Sequence, residues 1–248
     1  MEAHCRAAVL AAGPACVAVK LQLACFERLG APGWEVLERT VAFSREQGLL
    51  VIADGKRGDV PVTARAYGEA LVGETHGPFG PVAGLGADAF TANPLLGHDA
   101  VEPLVDAAAS AGAGCFLLVR TSNPGAAELQ DEGVPPLHER LAELADRLGR
   151  SHVGESGLSD VGAVAGATEP ALLGRLRELM PRAVLLMPGV GAQGGRVDEL
   201  GPAFAPHPAA GLITASRSIV NAHAERGGEP AAAAAAAAEE LRAAAWSL

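Results

Sequence analysis

Seven short apolar runs, each followed by a longer stretch of helical character, recur along the chain, and this alternation limits the possible folds more than any other feature. The runs are Cys16–Lys20, Leu49–Asp54, Ala87–Ala92, Cys115–Thr121, Val161–Ala165, Ala183–Met187 and Gly211–Ala215. Between them lie amphipathic segments such as Trp34–Gln47, Ala100–Ala111, Leu137–Leu148, Glu169–Met180 and Val197–Leu200, and an alanine-rich helix is expected over about 230–248. Strands that are apolar almost throughout, separated by helix-length segments, predict a parallel sheet covered by helices. The runs end in polar or glycine-rich residues: Lys20, Asp54 with Lys56, Asn93, Ser122, Thr168, Gly189 to Gln193, and Ser216-Arg217. In a TIM (β/α)8-type barrel the C-terminal strand ends build the active site, so chemistry is expected there. A single barrel domain over residues 1–248 accounts for the whole pattern.

A closed barrel of this class has eight strands, and only seven strand–helix units are read here. The chain enters directly on a helical segment, Glu2 to Ala12, so the expectation is that the first strand is missing. A start assigned inside a longer protein, a divergent copy that has lost the strand, and another element filling the gap would each account for this. Whichever holds, an exposed sheet edge is expected between the strand of Lys20 and the strand before Arg217, with poor stability or association as its consequence.

Bulk properties narrow the function. A net charge of −10 argues against nucleic acid as a partner, since phosphate backbones require basic patches. No apolar run reaches the roughly 18 residues of a membrane span, and the N-terminus lacks a signal-peptide layout. Cys5, Cys16, Cys25 and Cys115 are scattered without a CxxC pair, which fits reduced thiols in a cytoplasmic protein rather than disulfides or a metal site. Gly73–Gly86, rich in breakers, reads as a long surface loop.

The chemistry concentrates in Asp54-Gly55-Lys56-Arg57-Gly58-Asp59. If the strand continues to Lys56, Asp54 and Lys56 point to the same face, which in a barrel is the interior. An isolated DxK is most simply a buried ion pair near a helix start. The full DxKxxD, beside a second strand-end lysine at Lys20, favours a functional array in which Lys20, Asp54, Lys56 and Asp59 alternate in sign and hold one another ionised. Pro188–Gly195 is a glycine-rich loop able to present backbone N–H groups to a phosphate, and Arg217 closes the next strand, where a charge-assisted contact with the same group is possible.

DxKxxD, together with Thr121-Ser122-Asn123-Pro124-Gly125, Pro188-Gly189-Val190-Gly191-Ala192-Gln193-Gly194-Gly195 and Thr214-Ala215-Ser216-Arg217-Ser218-Ile219, resembles the orotidine 5′-phosphate decarboxylase family in its longer bacterial branch. The resemblance runs from about Glu2 to the end of the chain. It implies a TIM barrel that converts orotidine 5′-monophosphate to UMP in pyrimidine synthesis without cofactor or metal. It also implies that Lys56 protonates C6, that Asp54 faces the departing carboxylate, and that Lys20 and Asp59 hold the array and the ribose. Ser122 would bind the pyrimidine, while Pro188, Gln193, Gly194 and Arg217 line the substrate, with Gln193 and Arg217 on its phosphate. Asp59 and Thr63 would reach into a neighbouring subunit, which implies a homodimer. Family chains also carry a first strand with Gly-Leu/Ile-Asp-Pro, which has no counterpart upstream of Lys20. A sugar-phosphate lyase of the wider suprafamily and an inactive nucleotide-binding paralogue are the competing readings.

Overall fold

Each of the seven apolar runs forms a strand in the computed structural model, which describes residues 1–248. In chain order the strands are β1 (Ala18–Gln22), β2 (Leu50–Arg57), β3 (Glu74–Gly77), β4 (Gly80–Ala83), β5 (Ala89–Ala92), β6 (Gly114–Arg120), β7 (Ser159–Ala165), β8 (Ala183–Pro188) and β9 (Gly211–Thr214). Seven of them make one parallel sheet in the order β1-β2-β5-β6-β7-β8-β9, and β3 pairs with β4 in a separate antiparallel hairpin. Helices connect the parallel strands, as a parallel sheet requires of its crossovers. The principal ones are Ala31–Glu46, Pro61–Leu71, His98–Ser110, Leu137–Gly149 and Leu173–Leu179.

The strand faces separate cleanly. Val51, Ala53, Phe90, Ala92, Cys115, Leu117, Ala163, Leu185 and Met187 point outward into the main core beneath the helices. Ile52, Ala89, Phe116, Val164 and Leu186 point inward as a second, smaller cluster that forms the floor of the barrel. Phe116 fills this interior because β7 has a glycine opposite it: a Cβ at Gly162 would lie 2.5 Å from the Phe116 ring. Burial also pushes the Cys115 thiol up in pKa, so this cysteine is an inert core side chain.

The sheet does not close. β1 and β9 are its two edges, as the strand count predicts, and both are less buried than β5, which is buried throughout. The helical layer bridges the seam that the strands leave open. Helix Glu2–Ala12 packs against the terminal helix Pro230–Trp246, with Ala11, Ala12 and Ala15 against Ile219, Ala234, Ala238 and Leu241. Small side chains allow the two helices to approach closely there.

Two expectations need correction. Gly73–Gly86 is not a loop but holds the β3–β4 hairpin, whose residues are all exposed. Its strands are too short and too poor in apolar alternation to register as such in the sequence. Val197–Leu200 is not an amphipathic helix; Val197–Glu199 forms a single 3-10 turn, followed by another at Gly201–Phe204. Pro202, at the start of the second turn, prevents one longer helix from propagating across both.

Candidate active site

The end of β2 carries the functional residues on an irregularity of the sheet. Ala53 pairs with Phe90 and Arg57 with Ala92, so four steps along β2 oppose two along β5. The excess residues form a bulge, and within it Lys56 takes the left-handed conformation with φ 49°, the sole non-glycine residue of the chain at positive φ. A left-handed non-glycine residue costs roughly 1–2 kcal/mol, so the surrounding contacts must hold it. The bulge turns Asp54 and Lys56 toward the same interior space.

Asp54 is buried and lies between two ammonium groups. Its Oδ1 receives Lys56 Nζ at 2.6 Å, and its Oδ2 pairs with Lys20 from the neighbouring strand β1. The Gln22 amide donates to Oδ2 at 3.4 Å, and the Thr91 hydroxyl donates to Oδ1 at 2.9 Å. Burial by itself would raise the pKa of the Asp54 carboxyl, but the Lys20 and Lys56 ammonium groups more than offset this and hold it below the usual carboxylate range. Asp54 is therefore an anion at neutral pH.

Across the barrel mouth, the Ser122 hydroxyl on the loop after β6 donates to Gln193 Oε1 at 3.0 Å. Gln193 sits in the glycine-rich turn after β8, where Gly189, Gly191 and Gly194 have φ of 112°, 75° and 91°. Side chains at these positions would be strained, so glycine sets the shape of the turn. The Gly194 N–H is bound by the Gly191 carbonyl at 2.8 Å and the Gly195 N–H by the Gly189 carbonyl at 3.0 Å, while the amides of Ala192 and Gln193 have no partner within the chain. Arg217, exposed and unpaired, follows β9.

These parts enclose one cavity of about 400 Å³. Lys20, Asp54, Lys56, Ser122, Pro188, Gln193 and Arg217, all expected from the sequence, line it together. Three expected residues stand apart. Asp59 is not in the alternating array, since its Oδ1 accepts from the Val60 N–H at 2.7 Å and no cation of the chain reaches it. The bulge carries the chain out of the barrel mouth before Asp59 is reached. Thr63 is exposed on helix Pro61–Leu71 outside the cavity, and Gly194 shapes the turn without lining the cavity. Among the polar lining residues, Thr91 and Gln22 were not foreseen, and Thr121, Asn123 and Thr214 lie in the quoted motifs without an assigned role. A lone hydroxyl in the otherwise apolar Ala89-Phe90-Thr91-Ala92 was the available signal for Thr91.

The electrostatics select a ligand class. Lys20, Lys56 and Arg217 set three cationic groups against the single carboxylate of Asp54, in a chain whose net charge is −10. Such a cavity favours a ligand with negative charge at both ends, one near Lys56 and one near Arg217 and the turn amides.

Comparisons with known proteins point to one family. The profile of the orotidine 5′-phosphate decarboxylase / HUMPS family matches residues 2–237. The orotidine 5′-phosphate decarboxylase of Rhodopirellula baltica is 41% identical over 91% of this chain and 74% of its own length. That of Deinococcus radiodurans is 44% identical over 84% of this chain and 73% of its own. Among solved structures, Leishmania donovani OMP decarboxylase superposes with a TM-score of 0.77 at 30% identity, covering 99% of this chain and 88% of that one. Leishmania donovani UMP synthase gives 0.78 at 32%, covering 98% of this chain and 49% of the larger protein. With a matching profile over nearly its full length and a doubly flanked aspartate at the mouth of an open parallel barrel, the chain belongs to the orotidine 5′-phosphate decarboxylase family.

Proposed function

We propose that this chain decarboxylates orotidine 5′-monophosphate to UMP, and that Lys56 is the proton donor. The observation that carries the reading is the clamped carboxylate of Asp54, with Lys20 on one oxygen and Lys56 at 2.6 Å on the other, at one end of a cavity whose far end holds Arg217. The substrate has the matching charge pattern, with a carboxylate on C6 of the pyrimidine and a phosphate on the ribose.

In the proposed step the bond between C6 and the carboxylate carbon breaks, CO2 departs, and the electron pair stays on C6. The resulting vinyl carbanion has no adjacent electron sink, so fixed positive charge must stabilise it. Lys56 supplies that charge and then its proton, which forms the new C6–H bond; the neutral amine is re-protonated from solvent. Asp54, held ionised, lies toward the departing carboxylate and discourages the bound ground state more than the transition state. Ser122 addresses the pyrimidine. Gln193, the free amides of the turn and Arg217 take the phosphate, a division of labour common at the loops closing a barrel. Half-buried Asp59 and exposed Thr63 fit a homodimer in which they complete the ribose site of a second chain. A cytoplasmic setting accords with pyrimidine synthesis, and no helix is long and apolar enough to cross a membrane.

Loss of the ultraviolet absorbance of orotidine 5′-monophosphate tests the assignment directly. Wild-type protein is expected to consume it at an unchanged rate with or without chelator. Lys56→Ala should abolish turnover, whereas Arg217→Ala should act mainly by raising KM. Wild-type turnover in the Lys56→Ala variant would refute the proposed donor.

A further inference from the structure

We propose that Thr91 is a positioning residue for Lys56: its hydroxyl replaces the strand contact that the bulge removes, and so aims the ammonium group at the reacting carbon. The proposal rests on the decarboxylase reading given above. In a regular ladder the Lys56 amide would find a carbonyl on β5, but the register shift between Ala53 and Arg57 takes it out of pairing. Instead it donates to Thr91 Oγ1 at 2.9 Å. Thr91 is 1% exposed, so water cannot substitute for this acceptor. A hydroxyl has one proton to give, and Thr91 gives it to Asp54 Oδ1 at 2.9 Å. That oxygen also binds Lys56 Nζ at 2.6 Å. One side chain therefore fixes both ends of the same lysine, its backbone directly and its ammonium through Asp54.

The outer side of the bulge is held separately. Arg57 donates from Nη1 to the Gly55 carbonyl at 2.8 Å, pairs with Glu27, and lies with its guanidinium 5.5 Å from the Tyr67 ring centre. A Cβ at Gly55 would come within 2.6 Å of Leu23 Cδ1 and 3.2 Å of the Arg57 guanidinium carbon, so the glycine leaves room for both side chains. These outer contacts hold Gly55 and Arg57 but leave the Lys56 amide without a partner, and Thr91 supplies it.

Thr91→Val keeps the shape and removes the hydroxyl, and Thr91→Ser restores the hydroxyl without the methyl. Misplacing a reacting group by a fraction of its productive geometry lowers kcat far more than it changes binding, so Thr91→Val is expected to lose roughly tenfold to a hundredfold in kcat with little change in KM. Thr91→Ser is expected to return most of that loss. An unchanged kcat in Thr91→Val, or a serine variant as slow as the valine one, would overturn the proposal. Amide hydrogen exchange over residues 54–59 gives a reading that needs no turnover. Protection of the Lys56 amide should be lost in Thr91→Val and kept in Thr91→Ser, and equal protection in wild type and Thr91→Val overturns the positioning role by itself. Absence of turnover in wild type would instead count against the decarboxylase assignment, with the exchange measurement still deciding the role of Thr91.

Discussion

At the residue scale the site is organised around one anion. Asp54 has two cations, an amide and a hydroxyl on its two oxygens, and each of those partners loses its counterpart if the charge is removed. Its depressed pKa links the charge to folding. A carboxyl whose folded pKa lies below its unfolded value of about 3.9 stabilises the protein fully above that value, and the contribution fades as pH falls through it toward the folded pKa. Asp54→Asn is therefore expected to melt lower than wild type, with the gap widest near neutral pH and narrowing in acid. Thermal melts of both proteins across the acid range measure it, and a gap that widens in acid would contradict the clamped-anion geometry. Asp54, Lys56 and Lys20 were legible in the sequence because the full DxKxxD stands at a strand end beside a second strand-end lysine. Thr91 was not, since a threonine in a strand is ordinary and only the bulge gives its hydroxyl two partners. Asp59 does not join the array within one chain, where its Oδ1 accepts from the Val60 N–H, and the family resemblance already assigns it to the site of a neighbouring subunit.

Elements transmit the order of the site to its two ends. The strand pattern was legible throughout because parallel strands buried on both faces leave apolar runs that few other structures leave. The bulge was not, because a register shift is set by two strands together and neither sequence alone encodes it. Neither was the clasp that aligns β8 with β9. Arg177, buried on helix Leu173–Leu179, donates to the carbonyls of Met180 at 2.8 Å, Ala183 at 2.7 Å and Ala210 at 3.0 Å, and to that of Ala203. Ala183 opens β8 and Ala210 immediately precedes β9, so one guanidinium fixes the starts of the two strands that present Gln193 and Arg217. Burial without a carboxylate partner brings its pKa down to about 10, still charged at neutral pH. Arg177→Met leaves these carbonyls buried without a donor and is expected to cost roughly 3 kcal/mol or more in stability, read as a fall in the denaturant midpoint. A midpoint equal to wild type would mean that the strands hold their own alignment.

For the whole molecule the defining feature is the sheet that stops one strand short of closure. The unpaired backbone of β1 and β9 can template pairing with another chain. Two modes of association are therefore expected, one through the open edges and one through the face carrying Asp59 and Thr63. Light scattering on wild type and Thr63→Arg separates them. Loss of all association in Thr63→Arg assigns it to the helix face, and association that survives assigns the remainder to the edges. A wild-type protein of single-chain mass at all concentrations would refute both.

The seam also has a temporal meaning. Apart from β2 and β5, which the β3–β4 hairpin separates, each strand pairing in the sheet joins neighbours in sequence order, whereas the alanine-rich contact between helix Glu2–Ala12 and helix Pro230–Trp246 joins segments nearly a full chain length apart. Contacts of such separation pay the largest loop-closure entropy and form late, while local strand–helix units assemble early. With no strand ladder across the gap to reinforce it, this helix pair is expected to shut late in folding and to open early in the native state, which amide exchange along helix Pro230–Trp246 would show. The mouth of the barrel, with Lys20 on one side of the seam and Arg217 on the other, thus spans the one gap that no strand ladder crosses.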